Sequence, residues 1–222
     1  MRKNVLTNGQ YYHVVSRSIA GYKVFNTNED FKRIVNALIF YLINPEMSYS
    51  YLLKQTDRYI FNALNNFLDD KANHIVSIIA YCIMPTHIHL LLRQNQDDGI
   101  SSYISNLLNS YTKFFNAKHK RKGPLWEGRF KSSLVDNDDI LLHITRYIHL
   151  NPTSAGIVLK PEDWSFSSYN EYISNNINRR LCDYKNVIDI EPKKYKKFVN
   201  DRKNYQKELA IIKANLIDYY SG

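Results

Sequence analysis

Residues 74 to 93 constrain what this chain can fold into more than any other stretch. His74 to Ile83 is almost continuously apolar, the pattern of a strand covered on both faces. The turn Met84-Pro85-Thr86 leads into His87-Ile88-His89-Leu90-Leu91-Leu92-Arg93, a second strand near enough to form a hairpin with the first. Ile88, Leu90 and Leu92 share one face and anchor it in a core. His87 and His89 therefore project together from the other, with Cα atoms about 6.5 to 7 Å apart. Two imidazoles at that spacing can converge on one ion; the pattern alone equally describes the polar edge of a strand.

The flanking segments supply a fold around this hairpin. Residues 10 to 17 (QYYHVVSR) read as a first strand. Asn28 is expected to cap a helix whose apolar positions Phe31, Ile34, Val35, Leu38, Ile39 and Leu42 recur at spacings of three and four, ended by Pro45. The same period at Ile60, Phe61, Leu64, Phe67 and Leu68 predicts a further helix over 57 to 71, inside an insertion spanning about 44 to 73. A helix from about Ser101 to Lys118, a loop at GPLWEGRF and a last strand over Phe130 to Val135 follow. Asn137 or Asp138 then caps a helix running through DDILLHITRYIHL that Pro152 is expected to stop. WSFSSYNEY reads as loop and 193 to 215 as helical. Strand, helix, strand, strand, helix, strand is the order of a ferredoxin-like α+β sandwich: an antiparallel sheet carrying the His strand, with helices on one face. The expected division is a domain over 1–178 and a basic helical C-terminal tail over 179–222.

Charge marks where a partner is gripped. The 222 residues carry 30 Lys and Arg against 21 Asp and Glu, a net +9. Residues 113 to 131 hold Lys113, Lys118, Lys120, Arg121, Lys122, Arg129 and Lys131 against Glu127 alone, a net +6. Residues 193 to 207, with Lys193, Lys194, Lys196 and Lys197 at their start, are likewise net +6, so the remainder is acidic. Two basic patches fit a polyanion held at defined places, or two solvated charged faces. The second patch is either a clamp on phosphates or a set of lysines solubilising a helix packed through Tyr195, Phe198, Leu209 and Ile212. No stretch reaches the length of a membrane span and the start lacks a signal-peptide core, so the cytoplasm and no membrane partner are expected. Cys82 and Cys182 have no paired spacing and read as reduced and structural.

The helix from 138 to 151 presents His143, Tyr147 and Asn151 as one stripe at spacings of four, with Leu141, Ile144 and Ile148 as the buried one. His143 and His149 read either as proton relays for a neighbour or as plain polar residues of the helix surface. Composition cannot select one of 18 tyrosines. MPTHIHLLL, GPLWEGRF, RYIHLNPTSAGIV and WSFSSY, in this order from about Tyr11 to Tyr172, resemble the REP-associated tyrosine transposases, a branch of the single-tyrosine HUH transposases of insertion sequences. The resemblance implies a ferredoxin-like fold, a Mg²⁺ or Mn²⁺ ion held by His87 and His89, a nucleophile at Tyr147 and a further metal ligand at Asn151. It implies a metal-dependent single-stranded DNA endonuclease and strand transferase acting on hairpin or repeat-palindrome ends through a 5′-phosphotyrosine, as a monomer or homodimer. Arg93, on the His face, and Trp126, able to stack on an unpaired base or to anchor its loop, join the basic residues as candidate DNA contacts. The rival is a non-catalytic nucleic-acid-binding domain of ferredoxin-like fold, which would need no His-x-His beside Tyr147 and Asn151.

Overall fold

A computed structural model describes residues 5–175 and 180–201. Four strands, β1 (Tyr11–Arg17), β2 (Val76–Met84), β3 (His87–Gln94) and β4 (Lys131–Val135), form one sheet in the order β2-β3-β1-β4. Every pairing is antiparallel. With α1 (Asn28–Phe40) and α4 (Gly99–Lys118) as the connecting helices, this is the ferredoxin-like sandwich expected. The hairpin sits as read, with Met84 opposite His87 and Cys82 opposite His89. Ile88, Leu90 and Leu92 are fully buried, and α1 and α4 form the helical layer over their face.

The opposite face is covered too. α5 (Asp138–Ser154) packs there against β2, β3 and β4. It is backed by α6 (Tyr169–Ile173) and α7 (Pro192–Asn200), which pack on each other and, for α7, on α5. The insertion supplies two helices instead of one, α2 (Tyr49–Leu52) and α3 (Asp57–Asp69), the latter packed on α1. The expected helix over 193 to 215 is seen as α7; the positions beyond 201, Leu209 and Ile212 among them, lie outside the described residues.

Local chemistry moves several boundaries. Thr27, not Asn28, caps α1: its hydroxyl accepts from the Asp30 amide while the Asp30 carboxylate accepts from the Thr27 amide, a reciprocal capping box. Pro152 does not stop α5, which runs to Ser154. The proline falls in the last turn, where the helix needs few further amide donors, and Gly156 at φ 66° ends it. Asn137 caps its other end, accepting from the amides of Asp139 and Ile140. Gly99 opens α4 where an added Cβ would lie 2.3 Å from the Ile75 carbonyl oxygen, so no larger residue fits.

One predicted DNA contact is used inside the fold. Lys118 Nζ donates to Asp30 Oδ1 at 2.7 Å, and Asp30 is fully buried. Burial pushes the Asp30 carboxyl up, but Lys118 and the Asn26 and Thr27 amides outweigh it and hold the group below its usual range. Lys118→Ala leaves that buried carboxylate with the two amides and without its cation. Urea denaturation should show a loss of about 3 kcal/mol, partly recovered in Lys118→Ala/Asp30→Asn.

Candidate active site

Strand parity and register build the site. Tyr11, His13, Val15 and Arg17 of β1 share the face of His87 and His89, because Val15 lies opposite His89 and Arg17 opposite His87. The imidazoles of His87 and His89 meet at 4.9 Å between ring centroids, nearly perpendicular. His13 stacks on His89 at 5.5 Å, and its Nε2 lies 3.2 Å from His89 Nδ1. Over this floor α5 lays Tyr147, whose ring stands edge-on to His13 at 6.0 Å and to His89 at 5.8 Å. His13 and His89 are fully buried, whereas His87 and Tyr147 are half-buried, so the site opens at their end.

Each strand histidine commits Nδ1 to the protein. His87 Nδ1 lies 2.9 Å from Thr86 Oγ1, and His89 Nδ1 faces His13. If both Nδ1 atoms carry the proton and donate it, Nε2 is the atom that each ring offers to a metal. The partners at Nδ1 fix tautomer and ring orientation, as outer-shell groups do for histidine ligands. Among the described residues no group of three or more His, Cys, Asp or Glu side chains is placed to hold a metal. A divalent ion would therefore be held by two imidazoles with oxygen from elsewhere. Asn151 follows Tyr147 by one turn with its amide turned back along the helix, Nδ2 donating to the Tyr147 carbonyl at 3.0 Å.

The other predicted residues are distributed as follows. Arg93 lies at the far end of β3, its guanidinium donating to the Gly9 carbonyl and to Asn95 Oδ1. Trp126 is buried, its Nε1 shared between the Leu108 carbonyl and Thr112 Oγ1, which makes it the anchor of its loop. Arg121 ties the same loop through Asn116 and the Pro124 carbonyl. Lys113, Lys120, Lys122, Arg129 and Lys131 are exposed, and Lys131 stands opposite Val15 on the His face. On α7, Tyr195 and Val199 are buried while Lys193, Lys194, Lys196 and Lys197 point outward, so one helix both packs and presents cations. Lys194 pairs with Glu191 at 3.7 Å and Lys196 with Glu162 at 3.1 Å.

His149 and His143 serve α7. His149 is fully buried, with Nδ1 2.6 Å from the Tyr195 hydroxyl and Nε2 2.7 Å from Ser168 Oγ. The His143 ring packs on Phe198, and the Arg146 guanidinium lies over that same Phe198 ring and donates to the Asp201 carbonyl. The helix expected to bury one stripe is thus covered on its back as well: His143 of the expected stripe turns to α7, and Tyr147 meets the sheet's histidines. Burial pulls the His149 imidazole down to about 3. Between pH 6.5 and 3 the unfolded chain takes up a proton that the folded protein refuses, so stability falls as pH falls. Half-buried Glu171, raised to about 7 by burial, has the opposite slope. In Glu171→Gln, chemical denaturation should show a loss of about 2 kcal/mol from pH 7 to pH 5.

With this arrangement in view, the comparison with known proteins is decisive. The family model "Transposase IS200 like" matches residues 7–151, from the approach to β1 through Asn151. The chain belongs to the IS200-like transposases. The matched span holds His13, His87, His89, Tyr147 and Asn151, and ends before α6 and α7. A Haemophilus influenzae protein bearing the name REP-associated tyrosine transposase is 30% identical over 109 residues, 45% of this chain and 62% of that protein. The REP-associated tyrosine transposase of Escherichia coli K12 is 24% identical over 139 residues, 62% of this chain and 79% of the relative. The chain thus spans less than two thirds of the first relative's length. A solved REP-associated tyrosine transposase bound to a REP hairpin has a TM-score of 0.54 at 16% identity, over 82% of this chain and 88% of that one. That likeness shows a shared fold.

His13 and Arg17 are the site residues that sequence reasoning missed. Their signal was present in the alternation of QYYHVVSR, which puts Tyr11, His13, Val15 and Arg17 on one face. What it lacked was the register that sets that face beside His87 and His89.

Proposed function

We propose that this IS200-like transposase cleaves and rejoins single-stranded DNA at hairpin or repeat-palindrome ends, with Tyr147 as nucleophile and a 5′-phosphotyrosine as the intermediate. The observation that carries the reading is the placement of the Tyr147 ring against His13 and His89. The phenol thus stands beside His89, which with His87 would hold a divalent ion.

A phosphodiester resists attack because its nonbridging oxygens share a negative charge. Mg²⁺ or Mn²⁺ bound by Nε2 of His87 and His89, with Asn151 Oδ1 as a third donor, would neutralise the charge that grows on the phosphorane. Two imidazoles favour Mn²⁺ on affinity and leave Mg²⁺ to win by abundance. His13 acts one step back: accepting from His89 Nδ1, it holds the tautomer in which Nε2 is the ligating atom. Tyr147, with a reference pKa near 10, loses its proton as the oxygen attacks. The P–O3′ bond breaks, the 3′-oxygen takes up a proton in net exchange for the one Tyr147 releases and leaves as a hydroxyl, and the strand's 5′-phosphate stays on the tyrosine. A 3′-hydroxyl from another end reverses the step, so cleavage conserves the bond energy for strand transfer.

The reading is tested by incubating the full chain with labelled hairpin DNA and Mn²⁺. A denaturation-resistant adduct is expected with single-stranded flanks. Little is expected with fully paired DNA, whose backbone does not bend readily towards Tyr147 and the strand histidines. Equal cutting of duplex, or full activity in EDTA, contradicts it. His13→Ala should lower the rate about 10- to 100-fold at limiting Mn²⁺, with partial recovery at high Mn²⁺. A titration of rate against metal concentration reads that shift.

A further inference from the structure

Tyr195 of α7 puts its hydroxyl on the back of the α5 turn that carries Tyr147. The hydroxyl oxygen lies 2.9 Å from Thr145 Oγ1 and 2.6 Å from His149 Nδ1. Thr145 and His149 stand two residues before and two residues after Tyr147, and two residues along a helix are about 200° of rotation. They therefore share the face opposite the tyrosine. Thr145, His149 and Tyr195 are all fully buried. One hydroxyl thus bridges the two residues that bracket the proposed nucleophile.

The protons in this group run one way. The Leu142 carbonyl can only accept, so the Thr145 hydroxyl, 2.7 Å from it, donates there and accepts from Tyr195. The Tyr195 proton is then committed, and His149 Nδ1–H donates to its oxygen. Burial keeps the His149 ring neutral, which leaves Nε2 to accept from Ser168 Oγ at 2.7 Å, a closer partner for that hydroxyl than the Tyr81 carbonyl at 3.3 Å. The Tyr81 amide donates to Ser168 Oγ at 2.9 Å, and the Ser168 amide donates back to the Tyr81 carbonyl. Tyr81 directly precedes Cys82 on β2, and Cys82 is the register partner of His89. A directed chain therefore runs from the strand beside His89, through Ser168, His149 and Tyr195, to both sides of Tyr147. The rings of Tyr169 and Tyr172 lie 5.6 and 4.8 Å from the His149 ring and hold it in this orientation.

We infer that Tyr195 is a positioning residue for the cleavage reaction: its hydroxyl, bonded to Thr145 and His149, sets the turn of α5 that aims Tyr147 at the strand histidines. The inference rests on the proposed function for the role of Tyr147. Tyr195 touches neither DNA nor metal and acts only through the helix. A hydroxyl that served packing alone would contribute stability and nothing more. One that aims a nucleophile contributes rate, because a displacement of about 1 Å can slow attack by about 100-fold.

The test sets Tyr195→Phe, which keeps the ring and removes the hydroxyl, against Val199→Ala, which loosens the same buried side of α7 one turn on and leaves the hydrogen-bond chain intact. Both should melt below wild type, so Val199→Ala is the control for stability lost with the hydroxyl in place. Single-turnover adduct formation with labelled hairpin DNA and Mn²⁺ is measured on the full chain, with hairpin affinity read by anisotropy. Both variants should bind within about twofold of wild type, while Tyr195→Phe forms the adduct about 10-fold or more slowly and Val199→Ala within about twofold. Thr145→Val should match Tyr195→Phe, and Thr145→Ser, which keeps a hydroxyl, should recover most of the rate. 3-Fluorotyrosine in place of Tyr147 gives a readout that needs no cleavage: its ¹⁹F resonance should shift or broaden in Tyr195→Phe and stay put in Val199→Ala. A wild-type adduct rate in Tyr195→Phe, an equal loss of rate in Val199→Ala, or an unmoved fluorine resonance in Tyr195→Phe overturns the inference. Failure of the wild type to form any adduct sinks the cleavage reading instead. The fluorine resonance then decides alone, a shift confined to Tyr195→Phe upholding the aiming of Tyr147 and an unmoved one overturning it.

Discussion

Tyr147→Phe abolishes the covalent protein–DNA adduct and leaves DNA affinity within about twofold of wild type. The substitution removes one oxygen from a half-buried ring whose packing against His13 and His89 is otherwise kept. α5 itself is held from behind by His149, Arg146 and Thr145 on α7, so the ring's backbone does not depend on the hydroxyl. Loss of a nucleophile with no substitute should cost on the order of 10⁴-fold or more in rate. Two alternatives in the preceding helix are excluded by their surroundings. Tyr103 and Tyr111 are buried in α4 with hydroxyls donating to the Leu38 and Val24 carbonyls, and burial raises both phenols far from ionisation. Gel-resolved adduct yield and anisotropy on the same preparation separate chemistry from grip.

His87→Ala eliminates Mn²⁺-dependent cleavage, a loss of about 100-fold or more, with little change in melting temperature. In the proposed site His87 and His89 are the two nitrogen ligands, so removal of either would leave one, and among the described residues no group of three or more His, Cys, Asp or Glu is placed to compensate. His87 is the cleaner of the pair because it is half-buried, unlike His89. His89→Ala should abolish cleavage equally but also lower stability, since His89 is fully buried and its removal leaves a void under Tyr147 and takes away its contact with His13 Nε2. Isothermal titration with Mn²⁺ reads the metal defect directly, and thermal melts read the structural one.

Much of this was legible in the chain because the signals were local. The apolar run before Met84-Pro85-Thr86 and the alternation after it specify a hairpin and the face on which His87 and His89 stand. The fold followed from element order, since short connections and antiparallel neighbours leave few arrangements. What escaped was set by long-range register and by packing against distant segments. His13 is 76 residues from His89 and meets it only because β1 pairs with β3. His143 and His149 carried no mark distinguishing a proton relay from a dock for α7. That choice was made by Tyr195, 46 residues beyond His149. Lys118, legible only as a cation in a basic run, was drawn inward by a carboxylate 88 residues earlier. Pro152 misled because the rule against helical geometry before a proline weakens in a last turn.

The central claim is that the DNA is joined to Tyr147 through its 5′-phosphate. The most direct measurement is mass spectrometry of the adduct formed with hairpin DNA and Mn²⁺, after nuclease and protease digestion. The account predicts a nucleotide phosphate on the peptide containing Tyr147, lost in Tyr147→Phe, with a free 3′-hydroxyl on the released strand. A phosphate mapped to any other residue, or cleavage that leaves no protein-linked DNA at all, contradicts it.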